Sequence, residues 1–109
     1  MYNFKKLKGE KIKYISDNAT LKKDKDFIDI SVVLTDKRLI LLDYPSGINN
    51  FEEVLRISRN VEYNREKEPI LIVKLEDIDH IENEELDKYI LKDGNFFYLQ
   101  DDELREKFH

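Results

Sequence analysis

The sequence predicts a mainly β fold with one helix, in which a strongly bent antiparallel sheet or partly open barrel is capped by a carboxy-terminal α-helix. The first observation is the segment ISVVLTDKRLILLDY at residues 30–44, which has two apolar strands around a polar turn. The second is Asp93-Gly94, a pair typical of a tight hairpin turn, between two apolar runs. The third is the amphipathic stretch 101–108. Hairpins followed by one terminal helix describe a sheet or barrel that is closed at one end.

The composition is that of one globular domain over residues 1–109, with 40% hydrophobic and 39% charged residues. No apolar run approaches the roughly 18 residues that a membrane-spanning helix needs. The lysine-rich start lacks the apolar segment of a secretory signal. The chain has no cysteine, which excludes disulfides and thiolate metal sites. Together these features predict a cytoplasmic protein.

Charge is distributed unevenly along the chain, whose net charge is −5. Residues 1–25 carry eight lysines and three acidic residues, whereas residues 26–109 carry 11 basic and 21 acidic residues. An acidic body repels phosphate backbones at long range, so the sequence predicts no nucleic-acid partner.

The first half of the chain holds four predicted strands, which are residues 11–16, 19–25, 27–34 and 39–44. Polar and apolar residues alternate in the first of them, as expected for a half-buried strand. Asp17 and Asn18 favour a turn between the first two strands. Thr35 to Arg38 form the turn of the third and fourth, which is the strongest predicted hairpin.

Residues 50–60 allow two interpretations. Phe51, Val54 and Leu55 recur near the helical period, and Asn50 is a suitable amino-terminal cap, so we predict a short helix. The alternative is a strand over residues 54–58 that pairs with residues 61–63. The choice depends on tertiary packing rather than on local pattern.

The last third begins with a clear strand at residues 70–75, which continues through residues 75–82 with a bend or bulge. A two-residue turn at Asp93-Gly94 then sets a register in which three pairs face each other, namely Leu91 with Phe96, Ile90 with Phe97, and Tyr89 with Tyr98. Residues 101–108 are predicted to be helical because acidic residues begin the stretch, basic residues end it, and Leu104 lies four positions before Phe108.

Three segments stand out as a set, namely LKGEKI at residues 7–12, LTDKRLILLD at 34–43 and VKLEDIDHIE at 73–82. In these segments the chain resembles the bacterial pleckstrin-homology-like (PH-like) and GRAM-like domains. The resemblance implies a seven-stranded, strongly bent sheet with a carboxy-terminal helix packed across it. It also implies a role in binding, since eukaryotic relatives of this fold often hold inositol phosphates with basic residues on the first two strands.

Lysines on the predicted first strands are the comparable residues here for contact with an anion or a lipid, namely Lys11, Lys13, Lys22, Lys23 and Lys25. A solvated surface explains the same pattern, because acidic residues lie among these lysines and no arginine is present for a bidentate clamp. The amino-terminal FKKLK could also contact an anionic membrane, although Phe4 and Leu7 provide only two apolar anchors.

Metal binding and catalysis have little support in the sequence. Asp77, Asp79, His80 and Glu82 have ligand chemistry, but strand alternation points the first two away from the last two. There is no cysteine nucleophile, Gly-rich phosphate loop or serine elbow. We therefore predict no enzyme activity, no cofactor and no metal.

The aromatic residues of the final hairpin are the other predicted site, namely Tyr89, Phe96, Phe97 and Tyr98. A ribbon that is apolar on both faces needs the terminal helix or another molecule to cover its second face. The sequence thus predicts a small binding module for a protein partner or a second copy of itself. The alternative is a peripheral module that binds anionic membranes through its lysine-rich first strands.

Overall fold

The computed structural model of this chain describes residues 4–43 and 67–108, apart from the side chain of Lys23. Its seven strands are β1 (Ile12–Lys23), β2 (Asp26–Thr35), β3 (Arg38–Asp43), β4 (Glu68–Lys74), β5 (Ile78–Asn83), β6 (Asp87–Leu91) and β7 (Phe96–Gln100). They form one antiparallel sheet in the order β4-β3-β2-β1-β7-β6-β5. The mainly β character is therefore confirmed. The predicted helix at 50–60 and its strand alternative lie outside the described residues.

One face of the sheet encloses the main hydrophobic core. All four of the strands β1, β2, β3 and β7 contribute fully buried side chains, and Leu71 of β4 and Ile81 of β5 pack against them although these strands lie at opposite ends of the sheet. The sheet therefore curves around a single core. Its buried members are Ala19, Leu21, Ile30, Val32, Leu34, Leu39, Leu41, Tyr89, Leu99 and Leu104.

The β2–β3 hairpin is buried on both faces. Leu34 pairs with Leu39 towards the main core, while Val33, Ile40 and Leu42 form a second cluster on the opposite face. Burial on both faces explains why these strands read as continuous apolar runs rather than as an alternating pattern. The predicted hairpin is confirmed.

The predicted turn at Asp17 and Asn18 is wrong. β1 runs without a break from Ile12 to Lys23, and a β-bulge between Ser16 and Ala19 absorbs the two polar residues. The chain reverses instead after Lys23, where Asp24 adopts a positive φ of 56°. Pairing with β2 along its whole length outweighs the local turn preference.

The predicted fold class is wrong in its cap, because no α-helix occurs among the described residues and the chain ends in a 3₁₀ turn, Arg105–Phe108. Asp101 accepts hydrogen bonds from the backbone N–H groups of Glu103 (3.2 Å) and Leu104 (3.1 Å), which start a tight turn. Leu104 is fully buried and Phe108 packs against the core. A helix over so few residues would form few backbone hydrogen bonds, and these would not offset the free-energy cost of nucleating the helix.

A second 3₁₀ turn, Leu75–Asp77, joins β4 to β5 at the predicted bend. Within residues 4–43 and 67–108, no helix has the length and apolar content of a membrane span.

The predicted register of the final hairpin is wrong by one residue. Gly94 adopts a positive φ of 91° in a three-residue loop, and the Leu91 N–H donates to the Asn95 carbonyl at 2.8 Å. The extra loop residue shifts every pair, so that the pairs are Ile90 with Phe96, Tyr89 with Phe97, and Lys88 with Tyr98. Since strand side chains alternate, this shift decides which aromatic residues reach the outer face of the sheet.

Candidate functional site

The predicted aromatic set is divided between the two faces of the sheet. Tyr89 and Phe97 face the core, where their rings stack in parallel with centroids 5.1 Å apart. Tyr89 also contacts Phe108, with ring centroids 5.7 Å apart. Burial, first of all, raises the pKa of Tyr89 far above its usual value. These two residues are thus part of the fold, whereas Phe96 and Tyr98 point outward.

Lysine and aromatic side chains from four adjacent strands meet on this outer face. Lys22 of β1 is the cross-strand partner of both Phe27 on β2 and Tyr98 on β7, and Tyr98 is in turn the partner of Lys88 on β6. Phe96 lies two residues before Tyr98 and therefore on the same face. We call these five residues, Lys22, Phe27, Lys88, Phe96 and Tyr98, the aromatic–lysine surface.

The two lysines are held over aromatic rings. Lys22 Nζ lies 5.2 Å from the Tyr98 ring centroid, and Lys88 Nζ lies 4.3 Å from that of Phe96 and 5.8 Å from that of Tyr98. The rings of Phe96 and Tyr98 meet edge to face with centroids 5.7 Å apart. Such cation–π contacts order the lysine side chains without neutralising their charge.

Neither lysine has an ionic partner among the described residues, since no carboxylate oxygen there lies within 4.0 Å of Lys22 Nζ or Lys88 Nζ. Glu82 is the cross-strand neighbour of Lys88 on β5. Its Oε1 atom, however, lies 3.2 Å from His80 Nε2. The surface thus presents two ordered positive charges that are open to another molecule.

A cleft of about 280 Å³ opens at one end of the aromatic–lysine surface. Lys22, Phe27 and Tyr98 line one side, and the β5–β6 turn at residues 84–86 lines the other. Glu84 and Glu85 belong to this turn and form no ion pair with a described residue. The cleft is therefore aromatic and basic on one side and acidic on the other.

The lysines predicted to contact an anion lie at two ends of one strand. Lys11 and Lys13 lie at the start of β1, whereas Lys22, Lys23 and Lys25 lie at its end and in the turn to β2. Lys22 lies nine positions after Lys13 along the strand, a distance of about 30 Å at the usual rise per residue. The structure therefore does not bring the five lysines into one cluster, and it places Lys22 with the aromatic residues instead.

A buried ion pair, Glu10 with Arg38, lies at the opposite end of β1. The Glu10 carboxylate accepts hydrogen bonds from Arg38 Nη2 (2.7 Å), Arg38 Nε (2.8 Å), Thr35 Oγ1 (2.7 Å) and the Leu7 N–H (2.9 Å). The Arg38 hydrogen bond lowers the pKa of Glu10 to about 2, although burial opposes this shift. We call Glu10, Thr35 and Arg38 the Glu10 clasp.

The Glu10 clasp explains why the three resemblance segments occur together. It joins residues 7–12 to residues 34–43, and the Leu75 N–H of the third segment donates to the Lys37 carbonyl at 2.9 Å. Thr35 Oγ1 also accepts hydrogen bonds from the backbone of Lys37 (3.0 Å) and Arg38 (2.9 Å), as the predicted turn requires. Every charge in the clasp is paired, so its role is to hold the fold.

A serine hydroxyl meets a lysine and an aspartate, groups of the kind that can activate a nucleophile, where β1, β2 and the start of β4 come together. Ser31 Oγ donates to Asp17 Oδ1 at 2.7 Å, and Lys67 Nζ donates to Ser31 Oγ at 2.5 Å. Sequence reasoning missed this trio because its members are far apart in the chain. Ser31 is completely buried, so a substrate has no access to its hydroxyl group. The trio ties β4 to the hairpin.

The acidic residues near His80 are arranged differently from the predicted alternation. A bulge between Ile78 and His80 lets Asp79 Oδ2 reach His80 Nδ1 at 2.6 Å. Hydrogen bonds with Asp79 and then Glu82 raise the pKa of His80, because only the imidazolium donates from both nitrogens. Among the described residues, no group of three or more histidine, cysteine or acidic side chains is arranged to hold a metal ion.

No family model, curated protein or solved structure matches this chain. The PH-like resemblance therefore stays a prediction, and the geometry of the aromatic–lysine surface is the basis for assigning a function. The sequence predicted Phe96 and Tyr98 in one site and Lys22 in another, and it missed Phe27 and Lys88. Their grouping depends on the pairing of β1 with β7, which no local pattern reveals.

Proposed function

We propose that this chain is a PH-like binding module that holds a protein partner on its aromatic–lysine surface. The observation that carries the proposal is the exposure of Phe27 (61%) and Phe96 (54%) beside Tyr98 and two lysines that form no ion pair with a described residue. Ordered aromatic residues that stay exposed on one face are typical of protein interfaces. The lack of cysteine fits a cytoplasmic setting for such a module.

Binding accounts for this surface better than catalysis does. The serine with activating neighbours, Ser31, is buried on another part of the sheet. The cleft beside Tyr98 is lined by one lysine, two glutamates and three apolar or aromatic residues, with no serine, threonine or histidine among its described lining residues. The side chains that line the cleft provide apolar area and charge, through which protein surfaces recognise their partners.

A partner other than a second copy fits the order of charges along the surface. Tyr98 lies between Lys22 and Lys88 on neighbouring strands. A two-fold axis through Tyr98 would therefore place lysines against lysines, and like charges at an interface are unfavourable. A second copy centred on Tyr98 is therefore disfavoured.

An anionic membrane is the rival ligand, because Phe27 lies beside Lys22 and near Lys25. Two features weigh against it. Lys11 and Lys13 are at the far end of β1, and Glu84 and Glu85 lie at the same cleft as Phe27. A continuous anionic surface would meet those carboxylates as well as the lysines.

Site-specific photo-crosslinking tests the proposal. A benzophenone amino acid replaces Phe96 in the cells that produce the protein, and in a control it replaces Ile72, which is 47% exposed on the edge strand β4. We expect a discrete protein adduct from position 96 that is absent from position 72. Adducts to lipid alone, adducts to a second copy alone, or equal protein adducts from both positions would contradict the proposal.

A further inference from the structure

The aromatic–lysine surface also determines the chemistry of its partner. Resting on the function proposed above, we infer that the partner presents an extended segment that carries two carboxylates, a large apolar side chain and a basic residue. Each part of this segment complements a separate feature of the surface.

The two carboxylates would form ion pairs with Lys22 and Lys88. Both lysines are ordered over rings, and neither is within 4.0 Å of a carboxylate oxygen among residues 4–43 and 67–108. They lie on β1 and β6 with β7 between them, so their backbones are about 10 Å apart at the usual strand spacing. In a polyproline II segment, which is extended and has three residues per turn, residues i and i+3 lie on the same side about 9 Å apart, so the two acidic residues have two residues between them.

The apolar side chain would occupy the cleft beside Tyr98. Its volume of about 280 Å³ lies between two aromatic residues, Phe27 and Tyr98, and Leu86. This space equals that of about nine water molecules at roughly 30 Å³ each, enough for one large side chain. Burying such an anchor in an aromatic pocket provides the main gain in many peptide complexes.

The basic residue would pair with Glu84 or Glu85, which line the cleft together with Lys22. A segment that carries both acidic residues and a basic residue therefore matches both signs of charge at the cleft. A polypeptide can place charges at discrete positions, whereas a lipid surface or a uniform polyanion cannot. A nucleic acid is further disfavoured because lysines already occupy the faces of Tyr98 and Phe96 on which bases would stack.

Selection from a phage-displayed library of random 12-residue peptides tests the inference with the full chain as bait. We expect the recovered peptides to be enriched in acidic residues three positions apart and to contain a large apolar residue. Synthetic copies should bind at least about tenfold more weakly to the Lys22→Glu/Lys88→Glu variant. A Lys13→Glu variant is the matched control, since this exposed lysine on the same strand lies far from the cleft.

The same library distinguishes failure of the inference from failure of the proposed function. Peptides without acidic enrichment whose binding is lost in the Phe96→Ser variant would overturn the inference and leave the proposed function standing. Peptides whose binding is indifferent to Phe27→Ser, Phe96→Ser and the lysine reversals would contradict both. A reversed-charge bait that selects basic peptides would support the inference directly.

Discussion

The Glu10 clasp and the aromatic–lysine surface lie at opposite ends of β1 and use charged side chains in opposite ways. In the clasp, a carboxylate with no solvent exposure is paired to Arg38 and receives four hydrogen bonds. On the surface, Lys22 and Lys88 are ordered by aromatic rings and form no ion pair with a carboxylate of the described part of the chain. A charge whose partners are internal stabilises the fold, whereas an ordered charge without an internal partner is available to another molecule.

The hairpin that carries the clasp provides the largest expected effect. Leu34 is 1% exposed and pairs with Leu39, so Leu34→Asp places an unpaired carboxylate in the core and should unfold the domain. Circular dichroism and thermal unfolding check this. The control is Ile72→Asp on the edge strand, which should stay folded because Ile72 is about half exposed. A folded Leu34→Asp variant would contradict the assigned core.

Breaking the clasp should be the next largest effect. Glu10→Gln removes the partner of a guanidinium that is only 11% exposed, at an expected cost of about 3–5 kcal/mol in the free energy of unfolding. Urea denaturation measures this cost. Glu84→Gln is the matched control, with an expected change within about 0.5 kcal/mol because its carboxylate has no described ionic partner. Similar losses in both variants would remove the distinction between the clasp and the surface.

Acid should weaken the clasp in a defined direction. The pKa of Glu10 is about 2 in the folded chain against a usual value of 4.5, so the unfolded chain takes up the proton first. The stability that Glu10 contributes is complete above pH 4.5 and is lost as the pH falls towards 2. The difference in unfolding free energy between the wild-type chain and Glu10→Gln should therefore shrink between about pH 5 and pH 3. A constant difference would show that Glu10 has no lowered pKa.

The aromatic–lysine surface should tolerate a change that the clasp does not. Lys22→Glu removes one exposed cation–π contact and should cost about 0.5–1 kcal/mol in unfolding free energy. Urea denaturation of this variant beside Lys13→Glu isolates the contact. A loss as large as that of Glu10→Gln would mean that the surface holds the fold rather than binds.

The smallest expected effect concerns His80, whose Nε2 lies 3.2 Å from Oε1 of Glu82, the cross-strand neighbour of Lys88. An NMR titration of the imidazole should give a pKa above its usual value of 6.5, and Asp79→Asn should lower it because Asp79 is its strongest hydrogen-bond partner. An unshifted pKa in the wild-type chain would mean that Glu82 is free to neutralise Lys88.

The parts of the fold that the sequence predicted are those decided by local pattern. The β2–β3 hairpin follows from apolar runs around a polar turn, and Thr35 makes the expected backbone hydrogen bonds. The prediction of a turn at Asp17 was wrong because the pairing of β1 with β2 continues through a bulge. The terminal helix failed because Asp101 caps a tight turn and also accepts hydrogen bonds from Tyr14 and Ser16 on the distant strand β1.

The candidate site was only partly predictable for the same reason. The loop that contains Gly94 has one residue more than predicted, so the cross-strand partner of Tyr98 is Lys88 and not Tyr89. Lys22 then joins Tyr98 through the pairing of β1 with β7. Composition favoured lysines and aromatic residues as sites but could not show that they form one surface.

Crosslinking yield from position 96, compared between the wild-type chain and Lys22→Glu/Lys88→Glu, tests most directly whether the surface binds a partner through its unpaired charges. We expect the protein adduct to disappear in the variant while its unfolding free energy falls by no more than about 2 kcal/mol, the loss of three cation–π contacts at the surface. An adduct of unchanged yield in a folded variant would contradict the account.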